Sequence, residues 1–232
     1  MGLHLRKERL ENITATEMSS VLGLNPYKTA SAVRKGKLDP QKIESIHLRR
    51  GVLLEPAVLE ALKEDLGWET LRHEDSTIVM KDHRIAATPD AYLTHKKGLV
   101  ECKSIGYKSF EKWYYQAPPA YLVQAHVQMM VTGLPVCYLA ALEAGDPYVC
   151  EWRLVVWEVV ADKDMEALMQ EEVRKFWDLF KENKALRASE PVKTKALGLL
   201  NRSSKIIYPK DIPIPEEVEA EAMFSKILSV FE

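Results

Sequence analysis

A chain of 232 residues, 47% hydrophobic and 28% charged, has the makeup of a soluble globular protein and buries a core without disulfides or structural metals. Its net charge of −2 excludes a global basic field, so a nucleic-acid partner would have to be met by Lys and Arg gathered on one surface. No run approaches the ~18 apolar residues of a membrane span, and Cys102, Cys137 and Cys150 form no C-x-x-C pair that would signal a zinc ribbon or disulfide framework.

The N-terminus lacks the apolar stretch of a secretory leader, so a reduced, cytoplasmic setting is expected. The first 40 residues read as a short helical preamble. Thr14 with Glu17 fits a capping box, Met18, Val21 and Leu22 supply an apolar stripe, and Gly23 ends it. Residues 41–66 form a second helical stretch with an apolar face from Leu48, Val52, Leu54, Val58, Leu59 and Leu62, broken by Gly51 and Pro56. From about residue 68 the texture turns to strand. Residues 77–80 and 84–88 are short β runs with Lys81-Asp82-His83 as their turn, followed by strands at 91–94 and 99–103 joined by a polar turn ending in Gly98. Residues 110–132 return to helix, interrupted at Pro118-Pro119 and stopped at Gly133. Strands are expected at 136–142 and 151–156, then an amphipathic helix over about 162–184. Residues 185–232 are mixed and Pro-punctuated, ending in a short helix with Met223, Phe224, Ile227, Leu228 and Phe231 beside the acidic run 216–221. The order predicts an α/β sandwich around a mixed sheet.

The informative segment is Thr88-Pro89-Asp90, ten intervening residues, then Glu101-Cys102-Lys103. Side chains alternate faces along a strand, so Glu101 and Lys103 point together while Cys102 points away. A bare E-x-K is ordinarily an ion pair on a surface strand. Here Leu99, Val100 and Ile105 make the strand look buried, and burying either charge alone costs several kcal/mol. The turn at 94–98 folds Asp90 back towards Glu101. Two converging carboxylates repel, a divalent cation relieves the repulsion, and hard oxygen ligands select Mg²⁺, with Mn²⁺ as substitute. The carbonyl of Cys102 is an extra candidate ligand. Such a cation neutralises a phosphate oxygen and acidifies bound water, while Lys103 orients that water or stabilises charge developing on phosphorus. The trio of Asp90, Glu101 and Lys103 therefore points to phosphodiester hydrolysis. No H-E-x-x-H, G-x-x-x-x-G-K-[ST] or G-x-G-x-x-G occurs, which argues against a metalloprotease or a nucleotide-binding enzyme.

Pro89-Asp90 and Glu101-Cys102-Lys103 resemble the PD-(D/E)XK nuclease motif. Residues 9–16, Gly51-Val52-Leu53-Leu54-Glu55 and Tyr121-Leu122-Val123-Gln124-Ala125-His126 appear in the order of lambda-exonuclease-like, YqaJ-type viral recombinases, a resemblance over roughly residues 9–160. It implies a PD-(D/E)XK core, with a central mixed β-sheet flanked by helices. One nuclease domain over residues 1–232 is implied, with an N-terminal helical segment at 1–66, a catalytic core at about 67–184 and an extension at 185–232. The implied activity is Mg²⁺-dependent 5′-to-3′ exonuclease on duplex DNA with free ends, using two ions per site and leaving 3′ overhangs. A homotrimer and a single-strand annealing partner come with the same resemblance.

By the same resemblance Glu55 lies near the metal and Gln124 faces the site. Relatives often carry a second glutamine where His126 stands, and Gln128, a full turn from Gln124, is a substitute for it. Arg9, Thr14 and Thr16 match a pocket for a 5′-terminal phosphate, a fit that a guanidinium and a helix start support physically. Lys108, Lys112, Trp113, Tyr114 and Tyr115 form a basic and aromatic cluster suited to a phosphate backbone or a frayed base. His126 and Gln128 join them as candidate DNA contacts. Two competing readings are an endonuclease of the same superfamily and a binding module in which the trio is a structural ion cluster.

Overall fold

The computed structural model describes residues 7–40, 45–72, 77–143, 152–181 and 186–209. Among these residues the helices are α1 (Lys7–Glu11), α2 (Ala15–Val21), α3 (Ala30–Leu38), α4 (Ile46–Leu66), α5 (Tyr107–Tyr115), α6 (Pro119–Thr132), α7 (Lys163–Lys181) and α8 (Glu190–Ser203). The strands are β1 (Ile13–Thr14), β2 (Thr70–Arg72), β3 (Ile78–Met80), β4 (Ile85–Ala87), β5 (Ala91–Leu93), β6 (Leu99–Ile105), β7 (Val136–Glu143), β8 (Leu154–Val160) and β9 (Ser204–Tyr208).

Period-two burial builds the main sheet, ordered β2-β5-β6-β7-β8-β9. Leu99 and Ile105 of β6, Cys137, Leu139 and Ala141 of β7, and Val155, Trp157 and Val159 of β8 join one apolar cluster with helices α2, α6 and α7. Their neighbours Val100, Tyr138, Ala140, Leu142, Leu154 and Val156 join a second cluster with Val58, Leu59, Ala61 and Leu62 of α4. The sheet is thus sealed on both faces, as the expected sandwich requires. Its β6–β7 pair is parallel and its other pairs are antiparallel. A parallel neighbour needs a crossover, and α5 and α6 supply it.

A second, three-stranded sheet, β1-β4-β3, stands beside the first where one mixed sheet was expected. Its β1 runs parallel to β4, Ile13 against Ile85 and Thr14 against Ala86, so both strands point the same way. The capping box is present at α2: the Glu17 carboxylate accepts from the Thr14 backbone N–H at 3.1 Å and from its hydroxyl at 3.0 Å. Gly23 then takes φ +70°, a left-handed turn that releases the chain.

Several elements depart from expectation. Helix α4 runs unbroken through Gly51 and Pro56, and Val52 and Leu53 lie exposed. Pro56 leaves the Val52 carbonyl without its helical partner, and exposure lets water replace that bond. Strand β8 occupies 154–160 in place of 151–156, because the unbroken Leu-Val-Val-Trp run is buried on both faces. Within the tail, α8 and β9 add a helix and an edge strand where only mixed chain was read. The expected terminal helix at 223–231 lies outside the described residues.

Candidate active site

Asp90 reaches the site by register. Ala91 pairs with Val100 and Tyr92 with Leu99, so one step further the antiparallel hairpin sets Asp90 opposite Glu101. Its Oδ2 accepts a hydrogen bond from the Cys102 backbone N–H at 2.7 Å, which ties the end of β5 to the middle of β6. On a strand, the N–H and C=O of one residue leave on the same side, so the Cys102 carbonyl is turned to the same edge.

Glu101 is 1% exposed and faces α6. Its Oε1 accepts from Lys103 Nζ and, at 2.6 Å, from Gln124 Nε2. Its Oε2 accepts from Gln128 Nε2. Gln124 and Gln128 are one helical turn apart, so both amides fall on the same face of α6. Lys103 Nζ also lies 4.9 Å from the centre of the Tyr121 ring. Glu55, on α4, accepts from Arg72 Nη2 at 2.6 Å.

Electrostatics bind these groups into one unit. Burial pushes the Asp90 carboxyl up to about 8, and the Glu101 charge adds to the rise, with a smaller contribution from Glu55; Lys103 and the Cys102 N–H oppose it. Burial alone would lower Lys103, but the Glu101 and Asp90 charges outweigh it and hold the ammonium above its ordinary range. The excess of acidic charge at Asp90 is what a bound cation relieves, and the oxygens are hard donors. Asp90, Glu101 and the Cys102 carbonyl fit Mg²⁺ in that sense. Among the described residues no three His, Cys, Asp or Glu side chains gather as an ion cage, so the donor set rests on two carboxylates and backbone.

Thr14 and Thr16 gather beside Glu17, and the backbone carbonyl of Arg9 joins them through a lysine. The Thr14 and Thr16 hydroxyls lie 3.2 Å apart, with Thr14 buried and Thr16 exposed. Lys37, which sequence reasoning missed, donates from Nζ to the carbonyls of Arg9 and Asn12, both at 2.7 Å, and to Glu17 Oε2 at 2.8 Å. Lys28 lies 3.8 Å from the same carboxylate. Cations thus outnumber the acid around two hydroxyls. Because β1 and β4 run parallel, the start of α2 and the segment Thr88-Pro89-Asp90 leave that small sheet at the same end.

Other expected contacts are not brought there. His126, two residues past Gln124, turns to the far side of α6, where it is 1% exposed and its Nε2 meets Ser203 Oγ at 2.9 Å. Trp113 is 3% exposed, stacks on Tyr121 and gives its carbonyl to the Trp157 indole N–H at 2.9 Å. It is core, as the Phe110/Trp113 spacing on the inner face of α5 dictates, and Trp113, His126 and Gln128, expected as DNA contacts, are all buried inside the fold. Tyr114 packs edge-on against Phe110 and Tyr115 is half-buried, whereas Lys108 and Lys112 are exposed.

His126 carries a pH consequence. Burial lowers its imidazole to about 4, with Asp162 pulling weakly the other way. The unfolded chain binds a proton near pH 6.5 that the folded chain refuses, so its stability contribution is complete above 6.5 and drains away as pH falls towards 4. His126→Gln is expected to flatten the pH dependence of the urea midpoint across that window. A wild-type slope in the variant would refute the assignment.

Residues 3–135 match the YqaJ-like viral recombinase domain. No curated protein matches the chain. Among solved structures it is similar to an alkaline exonuclease, LHK-Exo, from Laribacter hongkongensis, with 20% identity, a TM-score of 0.59, and 82% of this chain and 96% of that one covered. LHK-Exo in complex with dAMP matches at 21% identity and a TM-score of 0.61, with the same coverage. A phage-related exonuclease from Haemophilus somnus 129PT matches at 12% identity and a TM-score of 0.56, over 74% of this chain and 94% of that one. These likenesses carry the fold, and the domain match spans more than half the sequence. The chain belongs to the YqaJ-like viral recombinase family.

Proposed function

We propose that this chain is a divalent-cation-dependent deoxyribonuclease that degrades the 5′-ended strand of duplex DNA and leaves 3′ overhangs for recombination by single-strand annealing. The observation that supports it best is Asp90 set opposite Glu101 across the hairpin, with Lys103 on the Glu101 carboxylate. The alkaline exonuclease among the similar folds, one form of it in complex with dAMP, supports the same reading.

Asp90, Glu101 and the Cys102 carbonyl would hold Mg²⁺ or Mn²⁺, with Glu55 nearby for a second ion. Such a cation, when bound, supplies Lewis acidity to a phosphate oxygen and a water of lowered pKa. The chain's own groups do the rest. Gln124 and Gln128 hold the Glu101 carboxylate in place, Asp90 is held by the Cys102 N–H, and the sealed sheet face excludes bulk water. Lys103 stays charged and presents its ammonium to the water or to the phosphoryl oxygen on which charge develops. Arg9, Thr14 and Thr16 take the 5′-terminal phosphate, with Lys28 and Lys37 offsetting Glu17. Lys108 and Lys112 lie on the exposed side of α5, where they meet the DNA backbone. The homotrimer, the annealing partner and a place in the host cytoplasm belong to this proposal through the family. No helix among the described residues is long and apolar enough to cross a membrane.

The test is digestion of linear duplex carrying 5′-phosphate or 5′-hydroxyl ends, labelled separately at 5′ and 3′, with a closed circle as control. Early release of the 5′ label, faster from phosphorylated ends, is expected, and the circle stays intact. Early 3′ release would sink the polarity, indifference to the phosphate would sink the pocket, and a cut circle would make the chain an endonuclease.

A further inference from the structure

Gln128 is an expensive residue where it stands. It is 0% exposed on the face of α6 that packs against the sheet, and burying a primary amide without partners is strongly unfavourable. Both ends of this amide are engaged. Nε2 donates to Glu101 Oε2, and Oε1 accepts from Cys137 Sγ at 3.7 Å. Cys137 is itself 0% exposed and lies on β7 opposite Leu99, on the face that carries Glu101 and Lys103. A cysteine thiol is ordinarily protonated at neutral pH, so the sulfur serves here as a donor.

The orientation of the amide decides what Glu101 can do. An ionised carboxylate has about four lone-pair positions. Lys103 and Gln124 occupy those of Oε1, and Gln128 occupies one on Oε2. One position on Oε2 remains. Were the Gln128 amide reversed, its carbonyl oxygen would face the carboxylate and repel it. The acceptor-only carboxylate and the thiol hydrogen on the other side favour the same orientation, and the thiol keeps the Oε1 end of the amide seated.

Building on the cation-site reading above, we propose that Gln128, its amide held at the Oε1 end by the Cys137 thiol, is a positioning residue that fixes which lone pair of Glu101 is left for a divalent cation. Gln128 and Cys137 touch no substrate and act through Glu101. This relay explains how the site tolerates His126, which faces the other side of the helix. The second glutamine is supplied one turn on, and its partner comes from the neighbouring strand.

The test titrates Ca²⁺ into the full chain by calorimetry, with Tm, kcat and KM for DNA measured at saturating Mg²⁺. Gln128→Met, close in volume and without a donor, is expected to weaken Ca²⁺ about 10–100-fold and to lower kcat with KM for DNA unchanged. Cys137→Ala should move both quantities the same way by less, and Cys137→Ser, which keeps a donor, should restore them. Wild-type Ca²⁺ affinity and kcat in Gln128→Met would overturn the inference. If that variant fails to fold, the cysteine pair decides. Equal impairment of Cys137→Ser and Cys137→Ala, or none in either, means the thiol only fills space and overturns it as well. A wild-type chain that takes up no Ca²⁺ removes the cation site itself, a failure distinct from unchanged variants of a chain that binds normally.

Discussion

Lys103→Met is expected to lower kcat for nucleotide release by at least ~10²–10³-fold, the usual loss when one preorganised donor to a developing charge is removed. Methionine keeps an unbranched chain of similar length, so the change removes the ammonium together with its contact 4.9 Å from the centre of the Tyr121 ring. The same substitution strips Glu101 of its cationic partner and leaves a buried carboxylate held by two amides. Breaking a buried pair from one side costs about 3–5 kcal/mol. The cation-free variant should therefore melt lower than wild type, and Mg²⁺ should recover part of the difference because it supplies the missing positive charge. Single-turnover digestion at saturating Mg²⁺, with melting followed in parallel, separates the two effects. Unchanged release would remove Lys103 from the chemistry and with it the nuclease reading.

Asp90→Asn should lose activity to a similar extent and yet gain stability. The folded carboxyl titrates at about 8 and the unfolded one at 3.8. Between those values the folded chain holds a proton that the unfolded chain has released, so stability is greatest in acid and declines as pH rises through about 8. Asparagine mimics the protonated form and still accepts from the Cys102 N–H. Without divalent ions the variant should therefore exceed wild type at pH 8 by more than about 1.4 kcal/mol, the free energy of a tenfold change in proton affinity. The two should converge near pH 4. Mg²⁺ should raise the wild-type Tm by mass action and leave the variant nearly unmoved. A variant less stable than wild type at pH 8 without metal would contradict the electrostatic account of the site.

Much of this site was legible because strands and helices have short periods. Glu101 and Lys103 on one face, Val100 and Cys102 on the other, follow from alternation alone, and the hairpin spacing predicted Asp90 opposite Glu101. The period of α6 also carried the His126 correction: a residue two places from Gln124 lies across the helix, and Gln128 lies on the same side. Trp113 is misplaced when composition is weighed over phase; its spacing from Phe110 marks it as inner. The paired short strands β1 and β4 could not be read, since two residues leave no period and their parallel partner is distant in sequence. Helix α8 hid behind Gly198 and a Lys-rich, weakly apolar face, although Ser189-Glu190-Pro191 is a fair start signal. Lys37 had no motif at all. Its role exists only once α1, α2 and α3 are packed.

The single parallel pair of the main sheet, β6 with β7, has a kinetic consequence. Glu101, Lys103, Gln124, Gln128 and Cys137 all come from the continuous stretch 99–143 that forms this crossover. Most of the proposed site is therefore local in chain terms, and its loop-closure entropy is small beside that of joining β9 or α4 to the sheet. The constellation assembles with the strand–helix–strand unit itself, and the distant elements seal a site whose inner wiring is already in place.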